Sequence, residues 1–318
     1  MKIAVMTSGG DAPGMNAAIR AVVRHALYKK HEVVGILRGY LGLMNREFKE
    51  MTSRDVGGIL NRGGTILLTA RAPQFCIEEE QDKAIQILRN EKIDGLIVIG
   101  GNGSQTGAYK LHKKGFPVIG IASTIDNDLV GTDQTIGFDT ALNNAISAID
   151  KIRDTATSHE RVFVIEVMGR NVGMLALHCG IAVGADEIIV PEIAYDIENI
   201  VNRIQASFVL GKKHFIIILA EGAGKARDFS ERLNQFGNID AKMSVLGYIQ
   251  RGGDPTYIDR FLATNFGAFA IYAISHGMSG KIVGIKNNEL TLIDMKDVIG
   301  KYKSIDITLY QLTEALSI

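Results

Sequence analysis

The chain contains no tryptophan, and among its 318 residues there are two cysteines and five prolines. Two cysteines, Cys76 and Cys179, are too few for a disulfide framework or for a four-cysteine zinc site. We expect both to be buried free thiols in a reducing cytosol. With so little proline, no linker-like or low-complexity segment separates one part of the chain from another. Any domains must therefore meet through short crossings.

Excess charge of one sign and long hydrophobic runs are also missing. The 35 basic and 35 acidic residues cancel, which excludes the general electrostatic footprint of a nucleic-acid-binding protein. Apolar runs such as Phe215 to Ala220 are far shorter than the roughly 20 residues that a membrane-spanning helix needs. At the N-terminus, Ser8-Gly9-Gly10-Asp11 interrupts the apolar residues before a signal core could form. We expect neither a nucleic-acid nor a membrane partner, and a cytoplasmic location.

Short apolar, β-branched runs alternate with helical patterns along the whole chain. The runs predict strands at 3–7, 33–37, 65–69, 95–99, 118–122, 162–167, 187–190, 215–220 and 244–246. The intervening patterns predict helices at 14–27, 82–90, 140–155, 197–210 and 260–275. Near-continuous apolar strands are typical of parallel sheets covered on both faces. The alternation therefore predicts an α/β fold with doubly wound, mostly parallel sheets.

Glycine-rich loops follow two of the predicted strands. The first runs from Thr7 to Asn16 and the second from Ile99 to Ser104, and each leads into a helix. Glycine lets the backbone approach an anion closely, and a helix N-terminus offers free N–H groups. Neither loop has the lysine spacing of a Walker A motif. A phosphate cradle and a purely structural tight turn both remain open at each loop.

Polar and charged residues follow other strands. The segment Thr124-Ile125-Asp126-Asn127-Asp128 places two carboxylates at a strand end, where they could serve a metal or a base or form a solvated loop. Arginines at 161, 170 and 251, with Glu221, stand at the edges of later loops. Arginine binds phosphate through two parallel hydrogen bonds, which favours a sugar-phosphate pocket. Any one of these arginines could equally be a surface charge.

Taken together and in order, these segments resemble the bacterial ATP-dependent 6-phosphofructokinases over essentially the whole chain. The matching stretches are 7–20 (TSGGDAPGMNAAIR), 100–104, 124–128 (TIDND), 131–140, 152–161 (IRDTATSHER), 166–170 (EVMGR) and 245–253. The resemblance implies two domains of the phosphofructokinase type, a homotetramer and an allosteric site between subunits. It also implies transfer of the γ-phosphoryl group of ATP, with Mg²⁺, to the 1-hydroxyl of fructose 6-phosphate.

The resemblance also assigns site residues, position by position. Asp126 is the expected base, Arg170 and Thr124 would stabilise the transferring group, and Asp128 is a further catalytic and metal candidate beside Asn102. The expected ATP pocket comprises Gly10, Arg71, Ala72, Gly101, Asn102, Gly103 and Ser104. The expected sugar-phosphate pocket comprises Thr124, Ile125, Asp126, Arg161, Met168, Gly169, Arg170, Glu221, Lys242, Tyr248 and Arg251. The expected effector site comprises Arg20, Arg24, Arg153, Asp186, Lys212, Lys213 and His214. In the family, the residue at the position of Arg161 reaches the active site of a neighbouring subunit.

The chain departs from the family pattern at positions that bear on activity. Asn102 stands where an aspartate helps to hold Mg²⁺, so the metal position is degenerate. Lys242 replaces an arginine and Tyr248 replaces a histidine of the sugar-phosphate pocket. Gly103 and Ser123 differ from the aspartate and lysine of pyrophosphate-using relatives, which favours ATP. Three effector positions also differ, with Gly58 for an acidic residue, Asp186 for a glutamate and Leu210 for a basic residue.

The sequence therefore predicts an ATP-dependent 6-phosphofructokinase with weakened catalysis and altered allostery. Two alternatives stay open, a non-catalytic or regulatory paralogue and a kinase of a different phosphosugar. We predict an ATP-binding domain formed by residues 1–137 and 251–303. Residues 138–250 and 304–318 are predicted to form a sugar-phosphate-binding domain.

Overall fold

A computed structural model describes residues 1–316, and the chain forms two compact units. Unit 1 comprises Met1–Thr140 and Arg251–Tyr302. Unit 2 comprises Ala141–Gln250 and the chain from Lys303 to the last described residue. The sugar-phosphate-binding domain predicted from the sequence ends at residue 318, of which residues 317 and 318 lie outside the described residues.

Unit 1 is built on a seven-stranded sheet. Its strands are β1 (Lys2–Thr7), β2 (Glu32–Ile36), β3 (Phe48–Glu50), β4 (Gly95–Gly100), β5 (Val118–Ala122), β10 (Lys281–Lys286) and β11 (Glu289–Asp294). They lie in the order β11-β10-β5-β4-β1-β2-β3, with β3 and β11 antiparallel to their neighbours and the other pairs parallel. The helices of this unit are α1 (Met15–Tyr28), α2 (Gly39–Met44), α3 (Glu78–Asn90), α4 (Asn102–Lys113), α9 (Tyr257–Ser275) and α10 (Met295–Val298).

Unit 2 contains a four-stranded parallel sheet. Its strands are β6 (Val162–Val167), β7 (Glu187–Ile189), β8 (Phe215–Ala220) and β9 (Lys242–Val245), in the order β7-β8-β6-β9. Helix α5 (Phe138–Ser158) begins in unit 1 and continues into unit 2. The other helices of unit 2 are α6 (Met174–Ala182), α7 (Ile197–Val209), α8 (Ala226–Gly237) and α11 (Ile307–Leu316). The predicted α/β class with mostly parallel sheets is confirmed.

The apolar runs in the sequence become the cores of the two units. Every residue of Gly95–Gly100 and of Phe215–Ala220 is buried, as expected for strands covered on both faces. In unit 1, α1 packs closely on α9 because Gly267 has no side chain. A Cβ at Gly267 would lie 2.6 Å from the Ala21 Cβ and 2.8 Å from the Ala18 carbonyl oxygen. Cys179 is buried as predicted, but Cys76 is exposed, so that half of the cysteine prediction was wrong.

The prediction of a strand at Thr65–Thr69 was wrong. This segment is a loop, and side chains of neighbouring elements hold it by hydrogen bonds. The Asn16 side chain accepts a hydrogen bond from the Ile66 N–H at 2.7 Å. The Thr7 hydroxyl donates to the Leu68 carbonyl at 2.9 Å, and Leu68 itself has a left-handed φ of 59°. Backbone groups that a ladder would use are thus bonded to side chains. The apolar, β-branched composition of the segment carries no sign of these partners.

The start of α5 is capped by a buried carboxylate from another helix. Asp259, in the first turn of α9, accepts hydrogen bonds from the backbone N–H groups of Gly137 and Thr140, both at 2.8 Å, and from the Thr140 hydroxyl at 2.5 Å. Asp259 is fully buried. Burial outweighs these hydrogen bonds and raises the pKa of Asp259 to about 6.

The raised pKa predicts how Asp259 affects stability as pH changes. The folded protein holds the Asp259 proton to about pH 6, whereas an unfolded aspartate loses it near pH 4. The stabilisation that protonated Asp259 adds to the free energy of unfolding is therefore largest below about pH 4. It is lost as the pH rises to about 6. We expect the difference in unfolding free energy between the native chain and Asp259→Asn to fall by about 2–3 kcal/mol over this range. Urea denaturation at several pH values measures it. Asp254→Asn, at an exposed position, is the control, and an equally steep pH dependence in Asp259→Asn would contradict the assignment.

Candidate functional site

The two glycine-rich loops and the acidic loop meet at one edge of the unit 1 sheet. Strands β5, β4 and β1 are parallel neighbours, so their carboxyl ends lie side by side. The loops that follow Thr7, Gly100 and Ala122 therefore converge, as expected for ligand sites in open α/β sheets. Gly101 allows this approach, because a Cβ there would lie 3.2 Å from the Thr124 Cβ.

Helix α4 begins at this edge and directs its N-terminus towards it. Gly101 is the N-cap residue, and within residues 1–316 no side chain caps it. The first N–H groups of the helix can therefore bond an anion. Gly103 is exposed, and a Cβ there would meet no described atom within 4 Å, so the space beside it is open. Ser104 is buried, and its hydroxyl lies against Gly9 and Gly100, so its side chain packs the loops together.

The acidic loop is almost fully buried and is held by hydrogen bonds. Asp126 is 3% exposed and Asp128 is 5% exposed. The Asp126 N–H donates to the Thr124 hydroxyl at 3.1 Å. Asn127, in a left-handed conformation with φ of 49°, accepts from the Thr135 N–H at 3.1 Å and donates to the Asp133 carbonyl at 3.2 Å. The loop thus holds two carboxylates at a fixed place. The bracing by Asn127 and Thr135 was not predicted from the sequence. Ile125, predicted to contact substrate, has a buried side chain.

Asn102, the degenerate metal position, contacts the second carboxylate directly. Its side-chain amide donates to Asp128 Oδ2 at 2.9 Å. The other side-chain atom, Asn102 Oδ1, is buried and has no hydrogen-bond partner among the residues that the structure describes. Amide and carboxylate oxygens are suitable ligands for Mg²⁺ when nucleotide phosphates complete its coordination. The residues present therefore fit a nucleotide-borne magnesium ion. In the described part of the chain, no three His, Cys, Asp or Glu side chains come together to hold a metal by themselves.

Arg251 lies over the first glycine-rich loop of unit 1. A Cβ at Gly10 would lie 2.2 Å from Arg251 Nη1, so the Arg251 guanidinium lies directly against Gly10. The same nitrogen is 3.6 Å from Asp11 Oδ1. The loop after Arg251 packs closely as well, because a Cβ at Gly63 would lie 2.4 Å from the Gly253 carbonyl oxygen. The sequence assigned Gly10 and Arg251 to different pockets, and the structure brings them together.

The segment that carries Arg71 and Ala72 closes one side of this region. The Thr69 hydroxyl donates to the Gly9 carbonyl at 2.6 Å. After Ala72 a short 3₁₀ helix, Pro73–Cys76, places Phe75 against Tyr40 with ring centroids 4.1 Å apart. Tyr40 also donates to the Ser104 carbonyl at 2.6 Å. The aromatic pair therefore links the segment to α4, leaving Arg71 exposed and Ala72 half-buried.

In unit 2, a glutamate fixes the loop that follows β6. Glu221 Oε1 accepts from the N–H groups of Arg170 at 2.8 Å and Gly169 at 3.3 Å. Both donors have positive φ, 53° at Arg170 and 141° at Gly169. A Cβ at Gly222 would lie 2.2 Å from the Arg170 carbonyl oxygen. Glu221 thus acts on the backbone and leaves the Arg170 side chain exposed.

A fully buried glutamine supports the same loop. Gln250 Oε1 accepts from the Met168 N–H at 3.3 Å, and its amide donates to the Gly247 carbonyl at 3.0 Å. Sequence reasoning did not single it out as a site residue, since a lone glutamine before an arginine gives no signal. Tyr248, two residues earlier in the chain, is 82% exposed.

Arg161 and Lys242 lie at the other end of the same strands. Arg161 precedes β6, Lys242 begins β9, and Lys242 pairs in register with Phe163. Lys242 donates to Asp240 at 2.7 Å, and together with the charge of Arg161 this lowers the pKa of Asp240. Six residues of β6 separate Arg161 from Met168, which at about 3.3 Å per residue is roughly 20 Å. Within one chain, these two basic residues and Arg170 lie at opposite ends of the sheet.

Apart from Lys213, the predicted effector residues fall into one group in each unit. In unit 1, burial and the neighbouring charge of Arg24 lower the pKa of Arg20. In unit 2, Lys212 forms an ion pair with Asp186. Burial lowers the pKa of His214, with Asp186 opposing the effect and Arg153 and Lys212 adding to it, so these four residues are neighbours.

Lys213 stands apart from this group, because it pairs with Glu160 at 2.5 Å. Asp186 also lines a cleft of about 620 Å³, together with Tyr195 and Asn199, that no sequence motif indicated.

Comparison with known proteins identifies the class to which this fold and these loops belong. The family model described as phosphofructokinase matches residues 2–274, and the chain belongs to the phosphofructokinase family. It is 52% identical over 317 residues to the ATP-dependent 6-phosphofructokinase of Bacillus licheniformis, covering 100% of this chain and 99% of that protein. The corresponding Bacillus subtilis protein is 51% identical over the same length, with the same coverage.

Solved structures agree with this assignment. Phosphofructokinase from Saccharomyces cerevisiae superposes with a TM-score of 0.85 and is 36% identical. The match covers 99% of this chain and 46% of the yeast chain, so this chain spans about half of that protein. A pyrophosphate-dependent phosphofructokinase from Marinobacter aquaeolei, at 23% identity and a TM-score of 0.85 over 97% of this chain and 86% of that one, shares the fold. Among residues 1–316, no helix has both the length and the apolar character that crossing a bilayer requires.

Proposed function

We propose that this chain is an ATP-dependent 6-phosphofructokinase that phosphorylates the 1-hydroxyl of fructose 6-phosphate in the cytoplasm. The observation that carries the proposal is the buried acidic loop, which holds Asp126 and Asp128 beside the uncapped start of α4. Phosphoryl transfer depends on positioning and charge stabilisation more than on covalent chemistry, and this edge of the sheet supplies both. Two relatives at 51–52% identity over the full length carry the same activity in their names.

In this proposal unit 1 binds the nucleotide and supplies the base. The N–H groups at the start of α4 bond the phosphates, and the open space beside Gly103 leaves room for them. Asn102 and Asp128 would hold Mg²⁺, which supplies charge compensation for the phosphates when it is bound. Asp126 accepts the proton of the sugar hydroxyl as that oxygen attacks phosphorus. Its burial keeps water away from the proton that it takes.

Unit 2 binds the phosphosugar and stabilises the transferring group. Glu221 holds the backbone of Gly169 and Arg170, so the exposed guanidinium of Arg170 is presented from a fixed loop. That guanidinium offsets negative charge that builds up on the phosphoryl oxygens. Lys242 keeps a positive charge at a sugar-phosphate position but cannot make the paired hydrogen bonds of arginine. Tyr248 offers one hydrogen bond and no charge. Both changes favour weaker binding of the sugar phosphate.

We also propose a homotetramer in which copies share active sites. Arg161 and Lys242 lie about 20 Å along the sheet from Arg170, so one bound sugar phosphate cannot contact both ends. The family resemblance assigns Arg161, Lys242 and Arg170 to one sugar-phosphate pocket. In this proposal, Arg161 and Lys242 of one copy therefore contribute to the pocket of another copy. The edge position of β9 supports such a contact, because Met243 and Val245 are 54% and 59% exposed there.

Mixed oligomers test the shared site. Asp126→Asn and Arg161→Ala should each be nearly inactive alone. Co-expressed with two different tags and purified through both, they should recover activity, because one shared site then has both native residues. Co-expression of Lys242→Ala with Asp126→Asn should also recover activity. The control is co-expression of two different Asp126 variants, which should stay inactive because every shared site then lacks the native Asp126. Activity that stays at the level of the single variants would contradict the shared site.

A coupled assay tests the proposed reaction itself. Purified protein is given MgATP and fructose 6-phosphate, and formation of ADP and fructose 1,6-bisphosphate is followed. Parallel reactions replace ATP by pyrophosphate or fructose 6-phosphate by other phosphosugars. Turnover with ATP and fructose 6-phosphate alone supports the proposal. Binding of both ligands without turnover would favour a non-catalytic or regulatory paralogue. Faster turnover of another phosphosugar would favour a kinase of that sugar.

A further inference from the structure

The side chains of Asn102 and Asp128 form a direct contact between two separately fixed parts of unit 1. Asn102 is the first residue of α4, and its carbonyl accepts from the Thr106 hydroxyl at 2.9 Å. Asp128 ends the loop that Asn127 braces through Asp133 and Thr135. The amide of Asn102 donates to Asp128 Oδ2 at 2.9 Å across this gap. The hydrogen bond therefore joins the start of α4 to the acidic loop and holds Asp128 Oδ2 beside Asn102.

A carboxylate at position 102 would replace this hydrogen bond by repulsion between two negative charges. Two ionised carboxylates in contact at a buried place repel each other unless a cation lies between them or one takes up a proton. Asparagine removes the repulsion and supplies a donor. Its remaining oxygen, Oδ1, is buried and bonds no other group within the described residues, and buried polar atoms of this kind normally have a partner. The atom is therefore available to a bound group.

We propose that Asn102 is a positioning residue for Asp128, and that it makes the orientation of this carboxylate independent of a divalent cation. Magnesium then enters the site only together with nucleotide phosphates, with Asn102 Oδ1 as a neutral ligand. The proposal deepens the function assigned above and rests on it for the identity of the nucleotide. The orientation of Asp128 can be measured without turnover.

Thermal unfolding without nucleotide provides the test. In EDTA, Asn102→Asp should unfold about 1–3 °C below the native chain, because the shift that one contact of ordinary strength produces becomes smaller as the chain becomes longer. Excess Mg²⁺ should restore the loss in Asn102→Asp and leave the native chain unchanged. An acidic residue in the first turn of a helix is otherwise stabilising, so a loss is specific to the carboxylate pair.

Two further variants separate positioning from simple packing. Asn102→Ala should lose stability equally in EDTA and in Mg²⁺, because it leaves one carboxylate and no pair. The double variant Asn102→Asp, Asp128→Asn restores one amide and one carboxylate with their positions exchanged. It should unfold in EDTA close to the native temperature. A double variant as unstable as Asn102→Asp would show that the loss comes from the helix start and would overturn the proposal.

Metal binding gives an independent readout. Mn²⁺, followed by its electron paramagnetic resonance signal, should bind Asn102→Asp without nucleotide, and should bind the native chain only when a non-hydrolysable ATP analogue is present. Tight Mn²⁺ binding by the native chain alone would overturn the proposal. Neither readout needs turnover. If no variant phosphorylates fructose 6-phosphate but both patterns hold, the proposed reaction fails and the role of Asn102 stands.

Discussion

Replacing Asp126 by Asn should lower kcat by about 10²–10⁴-fold, the usual effect of removing a general base. The amide cannot accept the proton of the sugar hydroxyl, although it has nearly the same shape. Asp126 sits in a loop whose backbone is fixed by Thr124 and Asn127, so the substitution should leave the loop in place. The KM for fructose 6-phosphate should change much less than kcat. Steady-state kinetics at saturating MgATP measures both parameters.

The control for this variant is Asp150→Asn, which removes a carboxylate from an exposed position of α5. Its kcat should equal that of the native chain. Thermal unfolding of Asp126→Asn shows whether the fold is kept. A kcat within a few-fold of native in a folded Asp126→Asn protein would remove Asp126 from the role of base, and Asp128 would be the next residue to vary.

Replacing Arg170 by Ala should lower kcat by about 10²–10³-fold, the scale seen when one donor to a developing negative charge is lost. The side chain is exposed and the backbone is held by Glu221, so stability should change little. Arg170→Lys should recover part of the loss, because it keeps the charge without the two-pronged hydrogen bonding. Single-turnover kinetics with saturating substrates measures the transfer step.

Arg227→Ala is the matched control for Arg170→Ala. Arg227 pairs with Glu231 at 3.1 Å on an exposed face of α8, and such surface pairs contribute little. Loss of kcat in both arginine variants would indicate a general effect of charge. Unchanged kcat with a raised KM in Arg170→Ala would make Arg170 a ground-state binding residue only.

The parts of the fold that the sequence predicted are those in which local composition decides the structure. Gly95–Gly100 and Phe215–Ala220 are apolar throughout, and a parallel strand buried on both faces needs nothing else. At Thr65–Thr69 the composition is similar, yet Asn16 and Thr7 bond its backbone and prevent a ladder. Those partners lie about 50–60 residues away along the chain, so no local pattern contains them.

For the site, motifs gave the residue types but not their contacts. The bond between Asn102 and Asp128 depends on β4 and β5 being neighbours, and the packing of Arg251 on Gly10 depends on where a distant loop returns. Gln250 and Asn127 act through buried hydrogen bonds to backbone groups, which leave no mark in a single sequence. Such residues require the structure.

The order of strands in unit 1 has a consequence for synthesis of the protein on the ribosome. Strand β5 ends at Ala122, but its partner β10 runs from Lys281 to Lys286, after almost all of unit 2 has been made. Translation adds roughly 5–20 residues per second, so the edge of β5 stays open for on the order of ten seconds or more. An apolar strand edge exposed for that time can pair with another nascent chain. Chains truncated before Lys281 should therefore aggregate and depend on chaperones, whereas the completed chain closes that edge itself.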